Sequence, residues 1–406
     1  MNPLLISGFG TSINVDKRKL IINNKLKNQR LEFYPHQIKH DSIIVDGHTG
    51  NITFEAMRWL MKHNVQLTLL NWNGNLLAAT LPQSANGGKL KIKQYQKYLD
   101  NKTRFEVAQK FVNSKIKSSQ NLLKELSKYY PLDISKLDKT IKKEYQNYEK
   151  SLQESNKPVF TQLLALEGRV AQLYFGNLSK IFLIIAPEFH FERRWVQENR
   201  RNYNAADEVN ALLNYGYAVL ESEIKKTINT AGLDSQVGFL HELTLYSTPL
   251  VYDFQELFRW LIDLSVIQLM EDKKLQKSDF IVTENYHLRL REKTAKMLIE
   301  KIKHNFNRKV PYKNKNYSYQ TILNDIVQQL ANFVYGKKKE FEFKVPAIQI
   351  EREDSLDIRE KISKMTPEQR KKLGINKSTL FYMKKNLKSG KNIKIYDKTW
   401  SKINFG

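Results

Sequence analysis

The sequence of 406 residues contains no cysteine. Disulfides, zinc–thiolate sites and iron–sulfur clusters are therefore excluded, and a metal ion held by the protein must bind His, Asp or Glu. No apolar run of about 18 or more residues occurs, so we expect no membrane-spanning helix. The first residues also lack the basic and then apolar pattern of a signal peptide. These absences favour a cytoplasmic protein without a membrane partner.

Acidic residues are too few to balance the basic ones. Lys and Arg number 67 against 42 Asp and Glu, which gives a net charge of +25. Such an excess favours a polyanionic partner, and nucleic acid is the commonest partner of this kind. The alternative is that lysine merely coats solvated faces, as in a generally lysine-rich proteome.

The first 86 residues alternate β-prone runs with turns, which predicts a small N-terminal β domain over residues 1–86. One helical run, Thr53–His63, interrupts the strands. The expected strands are Leu5–Val15, Leu20–Asn23, Ser42–Val45, Val65–Leu70 and Leu76–Leu81. A loop at Gly87 and Gly88 marks the boundary.

From Ile92 to Phe343 the spacing of apolar residues is almost wholly helical, which predicts a large α-helical domain over residues 92–345. Residues 136–156 form a polar stretch that fits a solvated helix. Leu163–Phe175 is more apolar, and Asn204–Thr227 is a further long helical run. Another helix begins at Pro249 and extends to Met270. The fold class is therefore α+β.

Residues 346–406 differ in character and predict a basic C-terminal helix-turn-helix module. Thr366 and Gln369 fit a capping box at the start of one short helix. A turn at Gly374 leads to a second helix, Ser378–Leu387. This helix bears the apolar residues Leu380, Phe381, Met383 and Leu387. From residue 366 onward, eleven Lys or Arg against two acids give a net charge of +9, which favours DNA binding over a mere capping hairpin.

Glu167 is the first candidate for chemistry. It shares one helical face with Leu163, Val170 and Tyr174. A carboxylate within an apolar stripe is costly to bury unless it is paired or bound to a metal ion. The alternatives are that Glu167 lies at the edge of the stripe or pairs with Arg169.

Two further carboxylates lie on the helix that follows Pro249, which is apolar almost all round. Asp253 and Glu256 are spaced i, i+3 and would repel each other on one buried face. A divalent cation would neutralise both. The alternatives are a salt bridge from Glu256 to Arg259, or pairing of Arg259 with Asp263.

His241 ends a glycine-led loop just upstream of these acids. A set of Glu, His and Glu or Asp suits Mg²⁺ or Mn²⁺, and such a site suits phosphodiester chemistry. A basic and aromatic segment precedes His241, and the arginines of this segment are candidates for binding the DNA backbone. These are Arg193, Arg194, Arg200 and Arg201.

Four strings of residues occur in a characteristic order. They are Leu166-Glu167-Gly168-Arg169, Asn210-Ala211-Leu212-Leu213-Asn214-Tyr215-Gly216-Tyr217, Gly238-Phe239-Leu240-His241 and Val251-Tyr252-Asp253-Phe254-Gln255-Glu256-Leu257-Phe258-Arg259. Each string is modestly specific, and the four in sequence are very specific. Over roughly residues 4–300 the chain resembles the CRISPR adaptation integrase family, whose members insert spacers into CRISPR arrays.

The resemblance implies an activity and a site. Glu167, His241 and Glu256 would be the metal ligands of the catalytic centre, with Asp253 as a supporting acid. The family joins a donor 3′-hydroxyl of double-stranded DNA to a target strand by transesterification, as a homodimer formed through its β domains. Departures occur at Ser235-Gln236 and at Trp260, where the family often has proline, and neither removes a catalytic group.

The basic tail is similar to the extra DNA-binding module of casposases, the transposon-encoded relatives that integrate mobile elements. Its candidate DNA contacts are Lys377, Thr379, Tyr382 and Lys385. The resemblance therefore favours a casposase, with a higher assembly on DNA as a further possibility. The alternatives are a CRISPR spacer integrase that needs a partner protein and a non-catalytic DNA-binding protein. The clustered carboxylates and His241 discriminate against the last, since a regulator gains nothing from them.

Overall fold

The computed structural model describes most of the chain. The described residues are 1–47, 49–71, 74–80, 87–154, 159–189, 191, 207–244, 247–282, 288–350 and 362–389. The architecture is α+β, as predicted, with small sheets at the N-terminus and a large helical body. Among the described residues, no helix combines the length and apolar character needed to cross a membrane.

Two four-stranded sheets form the N-terminal part. The strands are β1 (Pro3–Ser7), β2 (Thr11–Asp16), β3 (Lys19–Asn24), β4 (Gln29–Phe33), β5 (Ser42–Asp46), β6 (Asn51–Ile52), β7 (Gln66–Leu70) and β8 (Leu76–Ala79). One sheet has the order β1-β5-β7-β8, in which only β8 is antiparallel to its neighbour. The other has the order β4-β3-β2-β6, with β6 parallel to β2.

The sequence-based strands are correct in part. A turn separates the predicted runs Leu5–Val15 and Leu20–Asn23, and in it Lys17 and Arg18 adopt positive φ values of 47° and 69°. The predicted run Leu5–Val15 is two strands in different sheets, because the chain turns at residues 8–10. Strand β4 was not predicted: most of its side chains are exposed, so the alternation that marks a half-buried strand is missing.

The mainly parallel sheet packs on both faces. Successive strand side chains point to opposite faces, and accordingly Ile6 and Ile43 join a small core under helix α1 (Phe54–Lys62). Leu5 and Ile44 join the main core of the helical body. The β region is therefore packed directly against the helices that carry the candidate site.

Nine described helices before residue 336 include α1 and eight that form the helical body. The eight are α2 (Gly88–Leu99), α3 (Asn101–Leu126), α4 (Ile134–Glu154), α5 (Val159–Ile185), α6 (Glu208–Ala231), α7 (Pro249–Glu271), α8 (Glu292–Asn307) and α9 (Tyr319–Tyr335). The expectation of an almost wholly helical region needs one correction. Two short antiparallel hairpins occur, β9 (Phe280–Val282) with β10 (Leu288–Leu290), and β11 (Lys309–Tyr312) with β12 (Lys315–Ser318).

Helix α7 lies at the centre of the body. Its bounds match the prediction closely, and all of its residues are buried except Tyr252, Arg259 and Glu271. It contacts α3, α5, α6 and α8. A helix surrounded in this way buries every face, so each of its polar residues must find a partner within the protein.

Two short helices form the described part of the C-terminus, α10 (Pro367–Lys372) and α11 (Lys377–Lys388). The predicted capping box is confirmed: Thr366 and Gln369 exchange side-chain and backbone hydrogen bonds. Gly374 lies between the helices with φ +59°, a conformation that favours glycine.

The apolar residues of α11 differ in their exposure. Leu380 and Met383 are buried, but Phe381 is 61% exposed. At about 100° per residue, a side chain that follows Leu380 directly is turned away from the buried face. Phe381 therefore belongs to the outer surface of α11.

Candidate active site

A cleft of about 240 Å³ opens between α3, α5 and α7. Each helix contributes charged groups: Lys115 from α3, Glu167 from α5, and Glu256, Arg259 and Asp263 from α7. The three α7 residues are spaced i, i+3 and i+7, which places them along one helical face. Two of the three predicted metal ligands thus line the same cleft.

Lys115 joins the two glutamates. Its ammonium contacts Oε1 of Glu167 and lies 2.5 Å from Oε2 of Glu256. The three side chains are 18%, 22% and 9% exposed, respectively. Sequence reasoning missed Lys115, because it is one of many lysines on α3 and nothing in its neighbourhood distinguishes it.

Glu256 is held as a carboxylate. Its Oε1 also lies 3.4 Å from Arg259 Nη1, so the alternative pairing of these two residues is observed. Burial disfavours the charged form, but the positive charges of Lys115 and Arg259 outweigh burial and lower the pKa of Glu256 to about 2. This group is fully ionised at neutral pH.

Asp253 faces a different element from Glu256. It is fully buried and accepts hydrogen bonds from the backbone N–H groups of Phe239, Leu240 and His241 at 2.6, 3.1 and 3.0 Å. The loop can approach this closely because residue 238 is glycine: a Cβ at Gly238 would lie 2.7 Å from Pro249 Cβ. Asp253 is therefore the anchor of the histidine loop.

His241 is oriented by the same carboxylate. Its Nδ1 lies 2.8 Å from Asp253 Oδ1. Burial lowers the pKa of His241, but the hydrogen bond and the charge of Asp253, with a contribution from Glu256, outweigh burial and raise it. When Nδ1–H donates to Asp253, the neutral ring presents Nε2 as its electron-pair donor.

Asp263 has partners that the sequence did not indicate. The hydroxyls of Tyr174 and Tyr217 each donate to one of its oxygens, both at 2.5 Å. Burial and the negative charge of Asp263 raise the pKa of Tyr174 well above its ordinary value, so this hydroxyl keeps its proton. The guanidinium of Arg259 lies over the Tyr217 ring, 4.1 Å from its centroid. These contacts fix Arg259 beside Glu256.

The cleft offers a divalent metal ion two carboxylates, Glu167 and Glu256. Among the described residues, no three His, Asp or Glu side chains lie close enough together to hold an ion as they stand. However, Glu167 and Glu256 already converge on one cation, the Lys115 ammonium. Oε2 of Glu256 is buried and has no hydrogen bond of good angle. Two carboxylates directed at one cation position fit Mg²⁺ or Mn²⁺. His241 is not among the residues that line this cleft, although the charge of Glu256 contributes to its raised pKa.

The predicted DNA contacts divide into two groups. Arg193, Arg194, Arg200 and Arg201 lie outside the described residues. On α11, Lys377, Tyr382 and Lys385 are exposed and Thr379 is half-buried. Phe381 is on the same outer surface, with its ring centroid 5.8 Å from that of Tyr382. The outer surface of α11 thus carries two aromatic rings between two lysines.

Comparison with known proteins gives consistent matches over most of the chain. Residues 4–304 match the family model described as CRISPR associated protein Cas1. The CRISPR-associated endonuclease Cas1 1 of Archaeoglobus fulgidus is 26% identical over 345 residues, which cover 83% of this chain and 97% of that protein. The Cas1 1 endonuclease of Thermodesulfovibrio yellowstonii is 30% identical over 237 residues, covering 58% of this chain and 71% of that protein.

Solved structures give the same result. A casposase bound to an integration product superposes with a TM-score of 0.77 at 37% sequence identity, covering 90% of this chain and 99% of that chain. A Cas1 protein from Thermotoga maritima superposes with a TM-score of 0.64 at 18% identity, covering 82% of this chain and 97% of that chain. The second match shows a likeness of fold alone.

Proposed function

The chain belongs to the CRISPR-associated Cas1 family, and from this premise we propose that it is a metal-dependent DNA integrase of the casposase type. It joins the 3′-hydroxyl ends of a mobile element's DNA to target DNA. The observation that carries the proposal is the pair Glu167 and Glu256, which face one cation position in an open cleft.

Glu167, Glu256 and His241 would hold Mg²⁺ or Mn²⁺. The ion supplies charge stabilisation at the scissile phosphate and activation of the attacking hydroxyl. Asp253 holds the histidine loop through three backbone N–H groups and fixes the tautomer of His241. Arg259, held by Glu256 and the Tyr217 ring, contributes positive charge where the phosphate would bind.

The reaction is a transesterification. The donor 3′-oxygen attacks phosphorus in the target strand and loses its proton, and a new phosphodiester bond forms. The bond from that phosphorus to the target 3′-oxygen breaks, and the leaving oxygen takes up a proton. One phosphodiester is exchanged for another, so neither nucleotide hydrolysis nor a redox cofactor is needed.

The C-terminal helices supply DNA recognition in this proposal. Lys377 and Lys385 lie on the exposed surface of α11, where they can contact phosphates on both sides of a groove. Tyr382 and Thr379 lie between them. The net charge of +25 supports binding of donor and target duplexes at once. We further propose a homodimer, which would present two active sites to two DNA ends.

A CRISPR spacer integrase is the second candidate function. The relatives named as CRISPR-associated proteins favour it. The casposase favours the first candidate, since it matches at 37% identity over 90% of this chain. The two candidates share the active site and differ in their need for a partner protein.

Strand transfer by the purified protein tests the proposal. The protein is incubated with a labelled duplex, a supercoiled plasmid and Mn²⁺ or Mg²⁺, with EDTA and a 3′-dideoxy duplex as controls. We expect metal-dependent joining that requires the 3′-hydroxyl and no partner. Joining only after a CRISPR adaptation partner is added would favour the spacer integrase. Tight DNA binding without joining under either condition would contradict an integrase.

A further inference from the structure

Lys115 holds the position that the proposed metal ion needs. Its ammonium contacts Glu167 and lies 2.5 Å from Glu256, and among the described residues no other side chain forms an ion pair with both glutamates. We propose that Lys115 is a substitute cation, which neutralises the two carboxylates in the metal-free protein and is displaced when a divalent ion binds. This inference rests on the proposed metal-dependent function.

Electrostatics requires such an exchange. An ammonium and a divalent cation a few ångströms apart repel each other strongly where little water screens them. Both cannot lie between the same two carboxylates. Without either one, Glu167 and Glu256 would face each other as a partly buried pair of like charges, which is unfavourable. A positive group is therefore needed between Glu167 and Glu256. The Lys115 ammonium and the divalent ion cannot occupy that position together.

The surroundings of Lys115 permit its ammonium to move while its backbone stays fixed. The neighbouring residues Ser114 and Ile116 are buried and anchor this part of α3. The side chain has a flexible four-carbon stem and faces a cleft of about 240 Å³. Displaced from the carboxylates, the ammonium remains in the cleft, where a DNA phosphate would be its next anionic partner.

Arg259 provides the contrast within the same cleft. Its guanidinium is 3.4 Å from Glu256, but it also lies over the Tyr217 ring, and Tyr217 is held by Asp263. A planar group fixed on two sides keeps its place when the metal ion enters. Lys115 is therefore the exchangeable cation of the site, and Arg259 is the permanent one.

Calorimetric titration of the metal-free protein with Mn²⁺ tests the exchange. For Lys115→Met we expect an affinity higher on the order of tenfold, since the ion no longer has to displace the ammonium. Lys117→Met, an exposed lysine two residues along α3, is the matched control and should bind like the wild type. An equal or weaker affinity for Lys115→Met would overturn the proposal.

The melting temperature gives a second readout of the same variants. Metal-free Lys115→Met should melt below the wild type, and saturating Mn²⁺ should raise its melting temperature more than that of the wild type. Identical metal-induced shifts in both proteins would contradict the exchange. If the wild type itself does not bind Mn²⁺, both the exchange and the proposed metal site are wrong.

Amine footprinting of the unmutated protein covers the case in which Lys115→Met fails to fold. Acetylation of Lys115, measured by mass spectrometry relative to Lys117, should be slow without metal and faster with Mn²⁺. This result is expected because the ion frees the ammonium from its two carboxylates. A protein that binds Mn²⁺ with no change in Lys115 acetylation would overturn the proposal.

Discussion

The cleft holds partly buried charges of both signs that pair with one another, whereas the C-terminal helix pair exposes positive charges to solvent. In the cleft, Lys115, Glu167 and Glu256 come from three helices, and each charge has a partner within the protein. On α11, Lys377 and Lys385 come from one turn-linked segment and face outward. Buried opposite charges suit chemistry at one phosphate, whereas exposed like charges suit binding to a polyanion. Under the proposed function, the reaction would take place in the cleft and α11 would recognise DNA.

This assignment predicts that mutations in the two regions separate catalysis from binding. A cleft substitution should change joining while leaving DNA affinity nearly intact. A substitution on α11 should change DNA affinity and its salt dependence while leaving the joining step intact. The cleft variants and the lysine variants test this separation, and the Phe381 variant tests its place on the outer surface of α11.

Glu256→Ala should abolish strand joining, with a loss of about 10³-fold or more, because it removes a ligand of the proposed ion, which would stabilise the transition state by several kcal/mol. DNA affinity, measured by fluorescence anisotropy, should change little. Glu242→Ala, an exposed acid near His241, is the control and should retain joining. Full joining by Glu256→Ala would remove this residue from the mechanism.

Asp253→Asn should lower Mn²⁺ affinity by about 10- to 100-fold, the usual effect of losing a residue that orients a metal-bound histidine. The amide has only one acceptor oxygen, so it cannot accept from the three N–H groups and His241 together. Joining measured at saturating Mn²⁺ should recover more of its rate than in Glu256→Ala. Unchanged metal affinity would show that Asp253 does not position His241.

Lys377→Ala combined with Lys385→Ala should weaken DNA binding and reduce the slope of log affinity against log salt by about two, one for each lost phosphate contact. The rate of joining at saturating DNA should not change. Lys338→Ala combined with Lys339→Ala removes the same charge from an exposed segment after α9 and should leave the slope unaltered. Equal slopes for both double variants would exclude α11 as the DNA-contacting surface.

Phe381→Ala should leave stability within about 0.5 kcal/mol of the wild type, because the ring is exposed. The adjacent Leu380→Ala should cost about 2–5 kcal/mol, because Leu380 is buried. Unfolding of the two variants in urea measures this difference. If Phe381 contacts bases, its loss should also reduce the preference for specific donor ends, by a smaller factor than the lysine pair reduces affinity. A large stability loss in Phe381→Ala would contradict its place on the outer surface of α11.

Local patterns were the most predictable part of the structure. The capping box at Thr366 and the long apolar helix from Pro249 both depend on residues close together in sequence, and both are confirmed. The exposure of Phe381 shows that an apolar residue indicates burial only when its helical face is also buried. Strand β4 was missed because its residues are mostly exposed and show no alternation.

The candidate site was predictable only as a set of residue types. Glu167, Asp253, Glu256 and His241 stand out because polar groups in apolar surroundings need partners. The identity of those partners depends on the packing of distant elements. Asp253 binds the backbone of the histidine loop, and Lys115 comes from a helix about fifty residues before Glu167. No spacing rule along one helix could have predicted the contact with Lys115.

Anomalous diffraction from crystals of the protein with Mn²⁺ and a duplex bearing a 3′-hydroxyl end tests the proposed metal site most directly. We expect a manganese peak within coordination distance of Glu167, Glu256 and His241 Nε2, next to the 3′-hydroxyl, with the Lys115 ammonium moved away from both glutamates. Bound DNA with the manganese elsewhere, or with Lys115 still between the two glutamates, would contradict it.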